Sequence, residues 1–291
     1  MIQLDSNITL SKETTDVLEE LQALIDGVVA FDAKVSKAQS LWNLKKDKLG
    51  EKALEELKVK LKDQCVSFGT CNYCEENEAC DIEHIAPKSF FPEQTFKWEN
   101  YLLSCKNCNT GYKLDQCFVL NDFGDVILVP RKTEPPFKEI AFINPKIENP
   151  NRFMVLDTTY SFKFMVFDDL SKKDQSKADK TIEILGLNER DTLVASRKET
   201  AIYFYQRMEL LSRIVTAGSI DEIISMLAPN DELVDRNVSL EIFKVETKNN
   251  FMKQIQKHKH PSVWYSIKKT ASKNSPKWKK LFNQVPEALN W

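Results

Sequence analysis

The sequence predicts an α+β fold, and three patterns support that prediction. Apolar residues recur at helical spacing before residue 65 and again after residue 170. Two C-x-x-C pairs, at 71–74 and 105–108, enclose an insert of thirty residues that must fold back as a hairpin to bring the pairs together. Short apolar runs bounded by turn residues follow the second pair. We therefore expect an N-terminal helical arm over 1–64, a hairpin-containing core over 65–116, and an α+β to mostly helical region over 117–291.

The composition is that of an ordinary soluble globular protein, with 291 residues of which 42% are apolar and 29% charged. No stretch approaches the ~20 apolar residues that a membrane-spanning helix needs. The first residues, Met1 to Asp5, lack the basic and apolar blocks of a signal peptide. We expect a cytoplasmic, reducing location without a membrane, where paired cysteines favour a metal over a disulfide.

The N-terminal arm is predicted to consist of two amphipathic helices. Apolar residues keep helical spacing from Thr15 to Leu41, and leucines occupy one face of the stretch from Leu44 to Lys62. Packing against the rest of the fold is the favoured interpretation, because amphipathic helices usually bury their apolar stripe. A partner-binding surface is the alternative.

The region after the core is predicted to begin with strands and to continue with helices. Apolar runs separated by turn residues indicate the strands, and a serine cap and a terminal glycine delimit the first helix. The expected elements are a hairpin of 117–120 and 126–129, strands at 154–156 and 162–167, and helices at 171–186, 191–216 and 219–227.

The two cysteine pairs predict a zinc site. Four thiolates, from Cys71, Cys74, Cys105 and Cys108, satisfy one tetrahedral zinc ion. Such a site has no open position, so this zinc is expected to be structural. It would fix the shape of the insert between the pairs.

The insert carries Glu83 and His84, and Asn100 and Asn109 lie around the second cysteine pair. In this arrangement residues 71–113 resemble an HNH (ββα-metal) endonuclease core of the zinc-knuckle type, with Asn109 in place of the motif's final histidine. The resemblance implies that His84 is the general base and that Asn100 steadies its loop. It also implies that Glu83 and Asn109 hold a divalent ion.

The residue types suit that chemistry. A neutral imidazole can take a proton from water at cellular pH. The oxygen atoms of Glu83 and Asn109 suit a hard ion such as Mg²⁺, which would neutralise charge on the leaving oxygen. Simpler interpretations stay open: a buried histidine tied to a backbone carbonyl, a solvated strand carboxylate, a turn residue for Asn100 and a helix cap for Asn109.

The net charge of −2 conceals a basic stretch at 251–280, which contains nine lysines and no acidic residue. Local positive charge attracts phosphates, and the aromatic residues among the lysines could stack on bases. An amphipathic surface whose tryptophans face the core would have the same composition. The candidate nucleic-acid contacts are Lys268, Lys269 and Lys277 in this stretch, and Lys113 after the second cysteine pair.

A second resemblance covers more of the chain. The features that carry it are 82–89, 102–109, Phe142–Pro145, Thr181–Asn188 and Arg197, and they resemble the HNH subunit of Septu-type anti-phage systems, including relatives associated with retrons. This resemblance implies a partner, a separate ABC-type ATPase that senses infection and controls the nuclease. The chain contains no P-loop motif of its own.

The sequence therefore predicts a metal-dependent endonuclease that hydrolyses phosphodiester bonds, with DNA favoured over RNA as its substrate. Its expected role is that of effector nuclease in an anti-phage complex. One alternative is a zinc-dependent nucleic-acid-binding or scaffolding module without catalysis. A stand-alone restriction-type HNH enzyme is the other.

Overall fold

The computed structural model describes residues 1–65, 67, 69–229, 231 and 234–291, and the chain divides into two compact units. The first unit comprises Met1–Val155 and Phe164–Arg190, and the second comprises Leu156–Lys163 and Asp191–Trp291. The predicted arm and core therefore belong to the same unit. The predicted third region contributes to both units.

The N-terminal arm consists of three helices: α1 (Lys12–Asp26), α2 (Phe31–Asn43) and α3 (Lys45–Asp63). The prediction of one continuous helix from 15 to 41 is wrong. Gly27 ends α1, and the following Val29 is 96% exposed, so its apolar side chain contributes nothing to the buried stripe. The break lets α2 change direction and carry its own apolar face.

The apolar faces of the arm pack on the core of the same unit. The shared cluster of buried residues is continuous across the three helices and the hairpin that follows. It contains Leu21, Ile25, Leu41, Trp42, Leu57 and Leu61 from the arm, and Phe96, Tyr101 and Leu103 from the core. The favoured interpretation of the arm as a packing element is confirmed.

The insert between the cysteine pairs folds back as predicted. Strand β1 (Asp81–His84) pairs antiparallel with β2 (Tyr101–Ser104), in a register that places Glu83 opposite Leu102 and His84 opposite Tyr101. A π-helical segment, Asn107–Lys113, follows the hairpin and is called the knuckle helix below. This order of two strands and one helix gives the ββα arrangement that the resemblance implied.

The remaining strands and α4 lie at or near their predicted positions. Strands β3 (Phe118–Leu120) and β4 (Val126–Leu128) form an antiparallel pair, and β5 (Met154–Leu156) and β6 (Phe164–Val166) form another two-stranded sheet. Helix α4 (Lys172–Ile184) begins after Ser171, whose hydroxyl accepts a hydrogen bond from the Asp174 amide. The fold is α+β.

The second unit is mostly helical. Its helices are α5 (Asp191–Thr216), α6 (Ile220–Met226), α7 (Leu240–Lys257), α8 (Pro261–Ser266), α9 (Ser272–Asn274) and α10 (Pro276–Gln284). Phe204, Phe243 and Phe251 are almost fully buried in this unit. Among the described residues of the whole chain, no helix combines the length and the apolar character needed to span a bilayer.

Candidate metal centre and active site

The four knuckle cysteines form one cluster. Their sulfur atoms all lie within 4.8 Å of one another, and all four side chains are buried. Pairing of β1 with β2 returns the chain to the first cysteine pair, so the thirty-residue insert brings Cys105 Sγ to 3.8 Å from Cys74 Sγ. The cluster has the ligand number and type of a structural zinc site.

Several N–H groups donate hydrogen bonds to these sulfur atoms. The backbone amide of Tyr73 lies 3.4 Å from Cys71 Sγ, and that of Cys108 lies 3.4 Å from Cys105 Sγ. The Asn77 side-chain amide also points to Cys105 Sγ, at 3.8 Å. Donors around sulfur favour the thiolate form, which is the form that binds metal.

A guanidinium group completes the surroundings of the cluster, and sequence reasoning missed it. Arg190 Nη1 lies 3.3 Å from Cys108 Sγ, and the guanidinium carbon lies 5.0 Å from the centre of the Tyr112 ring. Tyr112 belongs to the knuckle helix and packs against Gly186, where a Cβ atom would lie 2.3 Å from Cε1 of Tyr112. The segment after α4 therefore braces the knuckle helix and places a positive charge beside a thiolate.

We expect Arg190→Met to weaken zinc binding, because it removes the positive charge that offsets one thiolate. Loss of such an outer contact typically costs ~10–100-fold in metal affinity. The measurement is zinc transfer to a chromogenic chelator, with the exposed Arg152→Met as the matched control. Equal zinc affinity in the two variants would contradict the assigned role of Arg190.

His84 is buried, and one of its ring nitrogens has a fixed partner. Nε2 lies 3.0 Å from the backbone oxygen of Thr95, which also accepts a hydrogen bond of 2.6 Å from the Tyr101 hydroxyl. A carbonyl oxygen only accepts, so Nε2 carries the proton and Nδ1 keeps its lone pair. Within the described part of the chain, Nδ1 has no hydrogen-bond partner. The bond between Nε2 and the Thr95 carbonyl therefore fits both interpretations of His84. It is the bond of a buried structural histidine, and it would also orient a general base.

The imidazole of His84 is neutral at cellular pH. Burial lowers its pKa to about 3, and the positive charge of Lys88 contributes in the same direction. Neutral imidazole is the form that can accept a proton.

Glu83 is held by Lys113. Lys113 Nζ forms an ion pair with Glu83 Oε1 at 2.5 Å and donates a hydrogen bond of 2.9 Å to the backbone oxygen of His84. Lys113 is 3% exposed. The predicted contact of Lys113 with nucleic acid finds no support in this geometry, because its ammonium group is buried and occupied by the carboxylate and the carbonyl.

Asn109 lies beside a carboxylate that the sequence analysis left out of its predicted site. Its side-chain amide donates a 3.2 Å hydrogen bond to Asp81 Oδ2. Asp81 and Glu83 are two residues apart on β1, so their side chains lie on one face of the strand. That alternation is the signal that could have identified Asp81. This face brings two carboxylates and one amide to the knuckle helix, and oxygen donors of this kind fit a hard divalent ion.

Asn100 clamps the chain that follows His84. Its Oδ1 accepts a 2.7 Å hydrogen bond from the amide of Ala86, and its Nδ2 donates to the Ala86 and Gln94 carbonyl oxygens at 3.0 and 2.9 Å. Asn100 is buried. The hydrogen bonds expected from Asn100 to the backbone near His84 are present. Their partners lie 6 to 14 positions away in sequence, which is further than the local bonds of a turn residue.

The candidate lysines of the second unit differ in exposure. Lys268 is half-buried and donates to the backbone oxygen of Trp291, and burial lowers its pKa. Lys269 Nζ lies 5.7 Å from the Tyr265 ring centre, whereas Lys277 is exposed on α10. Trp264 and Trp278 are buried in the core, so neither tryptophan offers a face for base stacking. The interpretation with core-facing tryptophans is confirmed.

Comparison with known proteins identifies the central region. Residues 71–113 match the sequence model of the HNH endonuclease family. The chain is also similar to Septu protein PtuB of Bacillus thuringiensis, with 26% identity over 137 residues that cover 45% of this chain and 42% of that protein. Septu protein PtuB of Bacillus mycoides (strain KBAB4) is 22% identical over 165 residues, or 51% of this chain and 52% of that protein. The chain thus spans about half the length of these relatives, and no solved structure matches it.

Proposed function

Because residues 71–113 carry an HNH endonuclease domain, we propose that this chain hydrolyses phosphodiester bonds of nucleic acid in a metal-dependent reaction. The observation that supports this best is the state of His84. Its Nε2 is fixed by the Thr95 carbonyl, which leaves Nδ1 with its lone pair, and its strand also carries the carboxylates of Asp81 and Glu83. A module that only bound nucleic acid would need no such base.

The proposed enzyme binds two kinds of metal ion, one structural and one catalytic. Cys71, Cys74, Cys105 and Cys108 would hold a structural Zn²⁺. A divalent ion, with Mg²⁺ favoured by the oxygen donors, would be held by Glu83 and Asn109 with Asp81 beside them. When bound, that ion stabilises negative charge on the phosphate and the leaving oxygen.

The residues of the chain have distinct parts in the reaction. Nδ1 of His84 accepts a proton from the attacking water, which makes the water a stronger nucleophile. The Thr95 carbonyl keeps the proton on Nε2, and Asn100 holds the backbone that follows the base. Lys113 neutralises Glu83 and contacts the His84 carbonyl, so it positions β1 and does not touch the substrate.

The proposed biological role is that of an effector nuclease in an anti-phage complex, acting in the cytoplasm on DNA in preference to RNA. The similarity to Septu protein PtuB supports this role. The proposed partner is a separate ABC-type ATPase. The exposed Lys277 of α10, with Lys268 and Lys269, supports a nucleic-acid contact in the second unit.

The test is cleavage of plasmid DNA and of total RNA by the purified chain, with Mg²⁺ or with EDTA, alone and with the proposed ATPase partner. We expect Mg²⁺-dependent cutting of DNA, with Glu83→Gln as an inactive variant. Co-purification of the ATPase distinguishes the complex from a stand-alone enzyme. Failure to cut either nucleic acid under all conditions would leave the non-catalytic binding module as the better account.

A further inference from the structure

We propose that the N-terminal arm completes the nuclease site: Trp42 of α2 holds the His84 ring, and Lys45 of α3 binds the phosphate backbone of the substrate together with Lys88. This inference rests on the proposed function and deepens it. Trp42 and Lys45 lie outside residues 71–113, so the HNH family match does not account for them.

Trp42 packs directly on the proposed base. The ring centres of Trp42 and His84 are 4.3 Å apart, with their planes at 74°. Tyr101 makes a second edge-on contact with the imidazole at 5.2 Å, and it lies 5.6 Å from Trp42. Two aromatic contacts and the bond from Nε2 to Thr95 leave the imidazole little freedom to rotate. The direction of Nδ1 is therefore set in advance of substrate binding, which is what an oriented base needs.

The arm is anchored well enough to hold Trp42 in place. Trp42 lies in the last turn of α2 and is 8% exposed. Its ring also packs on Phe96 at 5.9 Å, and Leu57 and Leu61 of α3 are buried in the same cluster. A side chain supported from several elements positions its neighbour more accurately than one on a mobile surface helix.

Two lysines bring positive charge to this part of the unit. Lys45 Nζ lies 5.1 Å from the centre of the Trp42 ring, on the helix that begins directly after α2. Lys88 follows His84 by four residues, in a segment that is fixed at Ala86 by Asn100. Both lysines are half-buried. Throughout the described residues, neither forms an ion pair.

An anion would relieve the cost of this arrangement. Burial lowers the pKa of Lys88, the charges of Glu83 and Asp115 oppose that shift, and the smaller effects of Lys113 and Lys45 add to it. Half-burying an ammonium group without an ion pair is unfavourable, and like charges nearby add to that cost. A phosphodiester group beside His84 would give these two half-buried ammonium groups, which form no ion pair among the described residues, a negative charge to contact. The ligand class is therefore the nucleic-acid backbone at or next to the bond that is cut.

The lysine part of the inference is tested by binding. Lys45→Ala and Lys88→Ala are compared with Lys46→Ala, an exposed neighbour, all in the His84→Ala background, by fluorescence anisotropy of a labelled oligonucleotide over a range of salt concentrations. We expect each of the first two variants to lose about fivefold or more in affinity and to reduce the salt slope by about 1, whereas Lys46→Ala changes neither.

The Trp42 part is tested by kinetics. We expect Trp42→Ala to lower kcat at least about tenfold with KM almost unchanged, because misplacing a catalytic group affects the chemical step. Trp42→Phe keeps an aromatic ring and should retain most of the activity at an equal Tm. Faster cleavage by Trp42→Ala would overturn the inference, since it would make the arm an inhibitory cover over His84.

The two levels of the proposal fail in different ways. If the wild type cuts and the lysine variants bind like Lys46→Ala, the arm contact is wrong and the nuclease function stands. If the wild type never cuts while Lys45→Ala and Lys88→Ala still bind more weakly, the nuclease function is wrong and the phosphate contact stands.

Discussion

His84→Ala is expected to abolish cleavage, with a loss of ~10²–10⁴-fold in rate, because it removes the group that takes the proton from water. The fold should survive. The Thr95 carbonyl that loses its bond to His84 still accepts one from the Tyr101 hydroxyl, so no buried acceptor is left unpaired. The measurement is the initial rate of plasmid cleavage with Mg²⁺, together with the Tm of both proteins.

A control is needed because the imidazole is buried among aromatic rings, and its removal leaves a cavity. His84→Asn fills more of that space than alanine and has no basic nitrogen to accept a proton. Both variants should be folded and inactive. Cleavage by either variant at the wild-type rate would show that another group, or a contaminating nuclease, is responsible.

Cys71→Ser is expected to release the zinc and unfold the hairpin that carries the proposed active site. Structural zinc contributes ~10–16 kcal/mol of apparent binding energy in small zinc-dependent peptides, so loss of one ligand removes a large part of the local stability. Cys71 is fully buried, and β1 and β2 lie between the two cysteine pairs. The measurement is the zinc content of the purified protein by elemental mass spectrometry, with Tm and nuclease activity.

The chain offers a matched control in Cys80→Ser. Cys80 lies in the same insert but is exposed and is not part of the four-sulfur cluster. The Cys80→Ser variant should keep one zinc ion per chain and the wild-type Tm. The Cys71→Ser variant should lose the zinc ion and have a lower Tm. A soluble Cys71→Ser protein that retains zinc and activity would refute the idea that zinc holds the hairpin together.

Several features of this protein follow from residues close together in sequence. The spacing of the cysteines predicted both the metal cluster and the fold-back of the insert, because two C-x-x-C knuckles can share a metal only if the intervening chain reverses. Helix α5 was predicted with its observed bounds, and α4 with its cap at Ser171, because local periodicity and capping are sequence properties. The candidate roles of His84, Glu83, Asn100 and Asn109 came from the resemblance of residues 71–113 to an HNH core.

The break between α1 and α2 shows where local pattern fails. Val28 and Val29 continue the helical spacing, yet the chain leaves the helix at Gly27. An apolar residue at helical spacing is buried only if another element packs on it. Val29 has the spacing but is almost fully exposed. Helical periodicity is therefore necessary for a buried stripe and does not guarantee one.

The sequence by itself determined the metal cluster, the hairpin and the identity of the proposed base. The tertiary structure alone decided what surrounds them: Lys113 on Glu83, Asp81 on Asn109, Arg190 on Cys108 and Trp42 on His84. All four contacts join residues 28 to 82 positions apart. The spacing of residues in the sequence predicts which side chains lie close together within one turn, one strand or one cysteine knuckle. Contacts across such separations depend on how the elements pack, and that is settled only by burial of the shared core.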